Sequence, residues 1–328
     1  MKRLLVTHVD LDGAGPIILY DLFPRLLKFD RIICKDYGFE QDSSEYEFLT
    51  TFEEIIFVDM SIPELTYESL KLNRIKVLFY DHHESSQWLS LKEGIGVWDN
   101  TRCGTKIFWE EYVRPQLKRY IPMIDYVVDL IDTYDCWRTD SLLWKEAKNL
   151  NSVFYGLKDY REPDEIKALQ KFLDITQSKI TRGIKWFWTE REKVAIDRAN
   201  AREKEVKDAA LQTMKIRKDK EGLTFAIFKA PSKISLVCSS ILDERPELGY
   251  IVCINTYGES LGKLSFRSKK EDFDLNSLAC AKGHAGAAGG SLSEENINRL
   301  WDEEYCFAYK SYDSYKEDDE NSWLISLK

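Results

Sequence analysis

Leu4-Leu5-Val6-Thr7-His8-Val9-Asp10-Leu11-Asp12-Gly13-Ala14-Gly15-Pro16 is the stretch whose reading decides the fold. An apolar, β-branched run leads into His8, Asp10 and Asp12, then passes two glycines on its way to a proline. Side chains spaced by two project to the same side of an extended segment, so these three groups converge at the end of a first strand. Gly13 and Gly15 permit a tight turn, and the fixed φ of Pro16 suits the first turn of a helix that follows.

Working outward, the first half alternates strand-like and helix-like patterns. Strands are expected at residues 4–8, 31–37, 54–60, 76–81 and 96–99, with helices between them, one near Pro16 and one over residues 105–112. That alternation predicts an α/β fold with a parallel sheet covered on both faces. Three of the strands end in an acidic residue or motif: His8-Val9-Asp10, Asp59, and Asp81-His82-His83. Ligands of open α/β sheets collect at the carboxyl ends of strands, so motifs distant in the chain come together there. Cys103-Gly104-Thr105-Lys106 is read as a helix start with Thr105 as its N-cap.

Residues 159–221 are rich in Lys, Glu, Arg, Ala and Leu, and read as a helical connector after a first domain of residues 1–158. Trp186-Phe187-Trp188 within it is read as helix packing rather than base stacking. A smaller α/β domain follows over residues 222–310, with strands at 223–229, 250–256 and 263–266 and a helix at 234–242. Residues 311–328 are expected to be a tail, acidic, polar and mobile over residues 311–321.

Composition narrows the function. With 328 residues, 44% hydrophobic and 31% charged, the chain can bury two cores. Its apolar runs are strand-length, far below the roughly 18–20 residues of a membrane span, and Met1-Lys2-Arg3 opens no secretory signal, so a cytoplasmic location is expected. A net charge of −9 argues against a sequence-independent grip on duplex nucleic acid, though not against a short phosphorylated substrate. Seven separated cysteines without a C-x-x-C pair exclude a thiolate zinc site, and most of them read as buried reduced thiols.

All four histidines, His8, His82, His83 and His284, lie in short acidic or glycine-rich motifs. Clustered carboxylates in a low-dielectric cleft repel one another unless cations neutralise them. Carboxylates mixed with imidazoles suit manganese, iron, cobalt or zinc better than calcium.

These motifs, in this order, resemble the DHH-family phosphoesterases with their associated C-terminal substrate domain. The resemblance rests on His8-Val9-Asp10-Leu11-Asp12-Gly13, Val58-Asp59, Asp81-His82-His83, Asp129-Leu130-Ile131-Asp132-Thr133-Tyr134-Asp135, Gly262-Lys263-Leu264-Ser265-Phe266-Arg267-Ser268 and Lys282-Gly283-His284-Ala285-Gly286-Ala287-Ala288-Gly289-Gly290. It implies two divalent ions, Mn2+ first, with Mg2+ or Co2+ as alternatives. His8 and Asp10 would hold one ion, Asp12, His82 and Asp132 the other, and Asp59 would bridge them. Asp135 and Asp129 are the alternatives to Asp132 in the fourth motif. Asp81 would orient a neighbouring histidine and His83 would meet the scissile phosphate or its leaving oxygen, with Asp59, Asp81 and His83 as the catalytic set. Arg267, His284, Gly286, Gly289 and Gly290 would bind substrate phosphate from the second domain, across a cleft between the domains.

The implied activity is a manganese-dependent, two-metal phosphodiesterase that hydrolyses short oligonucleotides to mononucleotides. A RecJ-like single-stranded DNA exonuclease and a cyclic dinucleotide or 3′-phosphoadenosine phosphate hydrolase are the enzymatic alternatives. A nucleotide-binding regulator is the non-enzymatic one. The substrate class is a short single-stranded oligonucleotide or small nucleotide, with no duplex-specific or membrane partner, and the protein is a monomer or homodimer.

Overall fold

Strand β1 (Arg3–His8) lies inside a parallel sheet, with β2 (Arg31–Lys35) on one side and β3 (Glu54–Val58), β4 (Lys76–Asp81) and β5 (Gly96–Trp98) in order on the other. The computed structural model describes residues 1–35, 43–92, 94–119, 121–183, 186–232, 234–257, 262–270, 272–284 and 286–327. They form two units, Met1–Asp197 and Arg198–Lys328.

In the first unit the strands are apolar on both faces because both faces are covered. Leu5, Ile56 and Val58 pack on one side with α1 (Leu11–Leu22) and its neighbours, and Leu4, Val6, Ile55 and Phe57 pack on the other. Helices α2 (Pro24–Leu27), α3 (Ser43–Leu49), α4 (Glu64–Leu72), α5 (Gly104–Ile107), α6 (Pro122–Asp135), α7 (Trp144–Leu157), α8 (Glu165–Arg182) and α9 (Glu190–Thr213) complete the helical complement of the first half and the connector. Chain order reverses between β1 and β3, which makes their carboxyl ends the topological switch point. At the opposite, amino ends, Arg3, Glu54 and Lys76 sit in one row of the register. Glu54 is ion-paired there with Arg3 on one side and with Lys76, at 2.7 Å, on the other.

The expected strands are present: β4 spans its expected residues, β1 starts one residue early at Arg3, and β3 and β5 end short. Asp36 and Tyr37 lie outside the described residues, β3 stops at Val58, and Asp59 turns the chain at a φ of 56°. The first helix begins earlier than Pro16 suggested. Asp10 caps it, its carboxylate accepting the Gly13 N–H at 2.9 Å, so Pro16 falls inside α1. A proline there cannot donate to the carbonyl four residues back, which is Asp12 O. The Thr105 hydroxyl donates to that oxygen instead. It can come so close because residue 15 is glycine: a Cβ there would stand 2.0 Å from Thr105 Oγ1. Cys103, not Thr105, is the N-cap of α5, which runs on into a π-helical turn over Phe108–Val113.

Trp186-Phe187-Trp188 packs, but from the non-helical stretch between α8 and α9. The rings surround Lys179 Nζ, at 4.5, 5.4 and 4.9 Å from their centroids. Lys179 and Glu192 form a buried ion pair at 2.6 Å.

The second unit holds a six-stranded sheet of order β10-β11-β9-β8-β7-β6, formed by β6 (Lys215–Lys218), β7 (Thr224–Ala230), β8 (Tyr250–Asn255), β9 (Lys263–Arg267), β10 (Lys282–His284) and β11 (Ala287–Ser291). Strands β7 and β8 pair in parallel across α10 (Ile234–Glu244), and the other neighbours are antiparallel. After α11 (Glu294–Asp302), β12 (Tyr305–Phe307) pairs with β13 (Leu324–Ser326). Beyond the acidic residues 311–321, Leu324 and its apolar neighbours Trp323 and Ile325 pack into the second core. Among the described residues no helix is long and apolar enough to cross a membrane.

Candidate metal centre

The carboxyl ends of β1, β3 and β4 and the last turn of α6 bring His8, Asp10, Asp59, Asp81, His82, His83 and Asp135 together within the first unit. Asp59 lies in the middle. Its Oδ2 is 3.8 Å from His8 Nδ1, while its Oδ1 is 3.3 Å from His82 Nε2 and 3.8 Å from His83 Nδ1. His8 Nδ1 is also 2.9 Å from Asp10 Oδ2. On the other flank His82 Nε2 is 3.4 Å from Asp135 Oδ2.

The backbone aims these groups. Asp59 occupies the left-handed region, which aspartate tolerates better than most residues, and its N–H donates to Tyr80 O at 3.0 Å. Gly104 packs against it so closely that a Cβ would stand 2.7 Å from Asp59 N. Asp81, fully buried, accepts the His82 N–H at 2.8 Å and meets His83 Nδ1 at 2.8 Å, while Ser86 donates to its second oxygen.

Electrostatics divide the carboxylates. Burial, and then the charges of Asp12, Asp10, Asp135 and Asp81, hold Asp59 well above the ordinary carboxylate range. Burial and the charges of Asp12, Asp10, Asp132 and Asp81 do the same to Asp135. For Asp10 burial also pushes upward, but the hydrogen bond and charge of His8 outweigh it and the net shift is downward. At Asp81 burial is likewise overcome by the hydrogen bond and charge of His83. Asp59 Oδ2 and Asp135 Oδ2 are buried without a hydrogen-bond partner among the described residues. Buried carboxylate oxygens without donors, beside imidazole nitrogens, fit the requirement of divalent cations for hard oxygen and borderline nitrogen ligands.

Two of the expected ligands are seated differently from the rest. Both oxygens of Asp12 accept backbone N–H groups, Gly104 N at 2.7 Å and Thr105 N at 2.8 Å. Asp132 accepts the Cys103 N–H at 2.9 Å and pairs with Arg138 at 3.0 Å and Lys106 at 3.4 Å. The fourth-motif carboxylate that reaches His82 is Asp135, and Asp129 pairs with Lys106 at 2.8 Å. Gly104 and Thr105 occupy Asp12, and Cys103, Lys106 and Arg138 occupy Asp132, which the sequence did not announce. For all but Arg138 the signal was Cys103-Gly104-Thr105-Lys106, which brings free amides and a cation that need acceptors.

In the second unit, register sets Arg267 beside Ala287 and Ala287 beside His284, one row across β9, β11 and β10. The Arg267 guanidinium donates to Ser235 Oγ at 2.6 Å and to Phe266 O at 2.7 Å. The side chain of His284 and the whole of Ala285 lie outside the described part. The glycine-rich stretch is mostly strand rather than loop. Gly289 and Gly290 pair within β11, Gly286 O accepts the Ser268 N–H at 3.0 Å, and a Cβ on Gly290 would stand 2.7 Å from Cys280 O.

No protein-family model matches the sequence, and comparison with curated proteins gives no match either. Solved structures do match. The DHH domain of a protein described as a member of a ribosomal-protein family aligns at a TM-score of 0.61 and 15% identity, over 92% of this chain and 85% of that one. An exonuclease RecJ bound to manganese aligns at a TM-score of 0.50 and 16% identity, over 91% and 88%. The pGpG-specific phosphodiesterase PggH from Vibrio cholerae aligns at a TM-score of 0.50 and 14% identity, over 92% and 96%. With the parallel sheet, its switch-point cluster and the smaller mixed sheet, these likenesses show that the chain has the DHH-family, RecJ-like fold.

Proposed function

We propose that the protein is a manganese-dependent phosphodiesterase that hydrolyses short single-stranded oligonucleotides to mononucleotides. The observation that carries this reading is the Asp59 carboxylate, buried and flanked by His8 on one oxygen and by His82 and His83 on the other. His8 and Asp10 would hold one ion, His82 and Asp135 a second, and Asp59 would serve both. Two divalent ions at such a site supply charge neutralisation for in-line displacement at phosphorus.

The remaining work falls to the protein's own groups. Asp81 fixes the His83 ring through Nδ1 at 2.8 Å, leaving Nε2 for the leaving oxygen. Asp12, tied to the start of α5, keeps β1 and α5 in register around the site. Arg267, His284, Gly286, Gly289 and Gly290 are the candidate phosphate-recognition group of the second unit, with Arg267 able to grip phosphate oxygens in pairs. RecJ and PggH, which share the fold, are by description a nuclease and a nucleotide phosphodiesterase, and this supports a phosphoester substrate.

The test is product analysis by mass spectrometry. Manganese-loaded protein is incubated with two- to seven-nucleotide RNAs, long single-stranded RNA and DNA, cyclic dinucleotides and 3′-phosphoadenosine phosphate, with Asp59→Ala alongside. Mononucleotides from the shortest RNAs, absent in the variant, are expected. Preference for long DNA would move the assignment to an exonuclease, and no product from any substrate would refute it.

A further inference from the structure

Beside the metal centre, and wholly within the first unit, is a cavity of about 100 Å³. Asp10, Asp12 and Asp135 are among its lining residues, so whatever enters lies next to groups bound at the centre. The lining also takes in Ile131 and Tyr134 of α6, the helix that carries Asp135, and Asn151 and Tyr155 of α7. Asn151 is only 6% exposed, yet its carboxamide makes no side-chain hydrogen bond among the described residues. Its carboxamide atoms are not among the polar atoms sealed from solvent without a partner, so they reach the space of the cavity. An amide turned to a cavity wall is satisfied by what fills the cavity.

The chemistry narrows the occupant. A carboxamide both donates and accepts, as a hydroxyl does, whereas the carboxylates of the same lining repel an anion. The apolar Leu11 and Ile131 suit the carbon face of a small ring. Resting on the phosphodiesterase reading, the group nearest a phosphate held at the centre is the sugar bonded to it, and the volume accommodates a furanose ring. We infer that this cavity is the sugar subsite and that Asn151 hydrogen-bonds a ribose hydroxyl, which makes the substrate a ribonucleotide rather than a deoxyribonucleotide. The 2′-hydroxyl is the group by which a protein distinguishes the two.

The experiment compares kcat and KM for the dinucleotides ApA and dApdA, with bis(p-nitrophenyl) phosphate as a sugarless diester, in the wild type, Asn151→Ala and Asn151→Gln. The wild type is expected to favour ApA by about tenfold or more in kcat/KM, the discrimination of one well-made hydrogen bond. Both variants should bring that preference to within about threefold, mainly by raising KM for ApA. Asn151→Gln keeps the amide but displaces it by one methylene, so it decides the matter if the alanine variant does not fold. Equal use of both dinucleotides by the wild type, or equal losses on both in the variants, would overturn the subsite. Hydrolysis of the sugarless diester without a sugar preference overturns the subsite alone. Failure of the wild type on all three substrates overturns the phosphodiesterase reading, and the subsite with it.

Discussion

The Thr105 hydroxyl donates to Asp12 O, the carbonyl that Pro16 leaves without its helical N–H. One side chain thus repairs α1 and joins it to α5 at the edge of the metal centre. Thr105→Val keeps the shape but leaves that carbonyl unsatisfied, and is expected to cost about 1–3 kcal/mol in urea denaturation. Thr105→Ser should recover most of the loss. If valine and serine behave alike, the repair does not operate.

Asp132 and Asp135 should separate in their effects. Asp135→Ala removes the carboxylate beside His82 and is expected to weaken manganese binding at least tenfold, read from the electron paramagnetic resonance signal of free Mn2+. Asp132→Ala strands the Cys103 N–H and the cations of Lys106 and Arg138, so it should cost about 1–3 kcal/mol of stability. Manganese affinity lost in Asp132→Ala and kept in Asp135→Ala would reverse the assignment.

Metal-free protein should lose stability as pH rises above about 4. Asp59 and Asp135, raised by burial and neighbouring charge, stabilise the fold below the unfolded carboxyl value of about 3.9 and lose that contribution as pH climbs to their folded values. His83 acts in the same direction. Burial lowers it, but the hydrogen bond and charge of Asp81 raise it on balance, so its contribution is full below about 6.5 and lost above its folded value. Asp10 and Asp81, lowered on balance, contribute above the unfolded value and lose stability only in acid. Scanning fluorimetry in EDTA should show a lower melting temperature at pH 8 than at pH 5, with the difference reduced in Asp59→Asn. Saturating manganese should raise the pH 8 value, by about 2.7 kcal/mol of stability at one hundred times its Kd.

The Lys179–Glu192 pair is expected to matter more when halved than when removed. Glu192 also accepts the Thr189 N–H at 2.8 Å, capping α9. Lys179→Met strands that charge among aromatic rings and should cost about 3–5 kcal/mol. Adding Glu192→Gln keeps the cap and removes the charge, so the double variant should recover at least half of the loss. A double variant no more stable than Lys179→Met would contradict this account.

The architecture was legible because the parallel strands are continuous apolar runs that end in charge. Glu54-Ile55-Ile56-Phe57-Val58-Asp59 shows both its burial and its polar end in the sequence alone. Within one helix the choice between Asp132 and Asp135 was not legible. It depends on which carboxylate meets Arg138 and Lys106 and which meets His82, and these are contacts between distant segments. Pro16 misled for a similar reason: its place inside α1 depends on Thr105, almost ninety residues away. Residues 322–327 read as one tail with the acidic stretch before them because their apolar side chains are few, yet Leu324 finds a partner strand in β12.

The two ends of the first sheet carry opposite solutions to charge. At the amino ends Arg3, Glu54 and Lys76 alternate in sign across adjacent strands, while the carboxyl ends of β1, β3 and β4 gather Asp10, Asp59 and Asp81 around three imidazoles. One rim is self-neutralising and the other is left in deficit. A redesign that changed which ions the protein prefers could therefore be confined to the deficit rim, with the anchoring of the strands untouched at the far end.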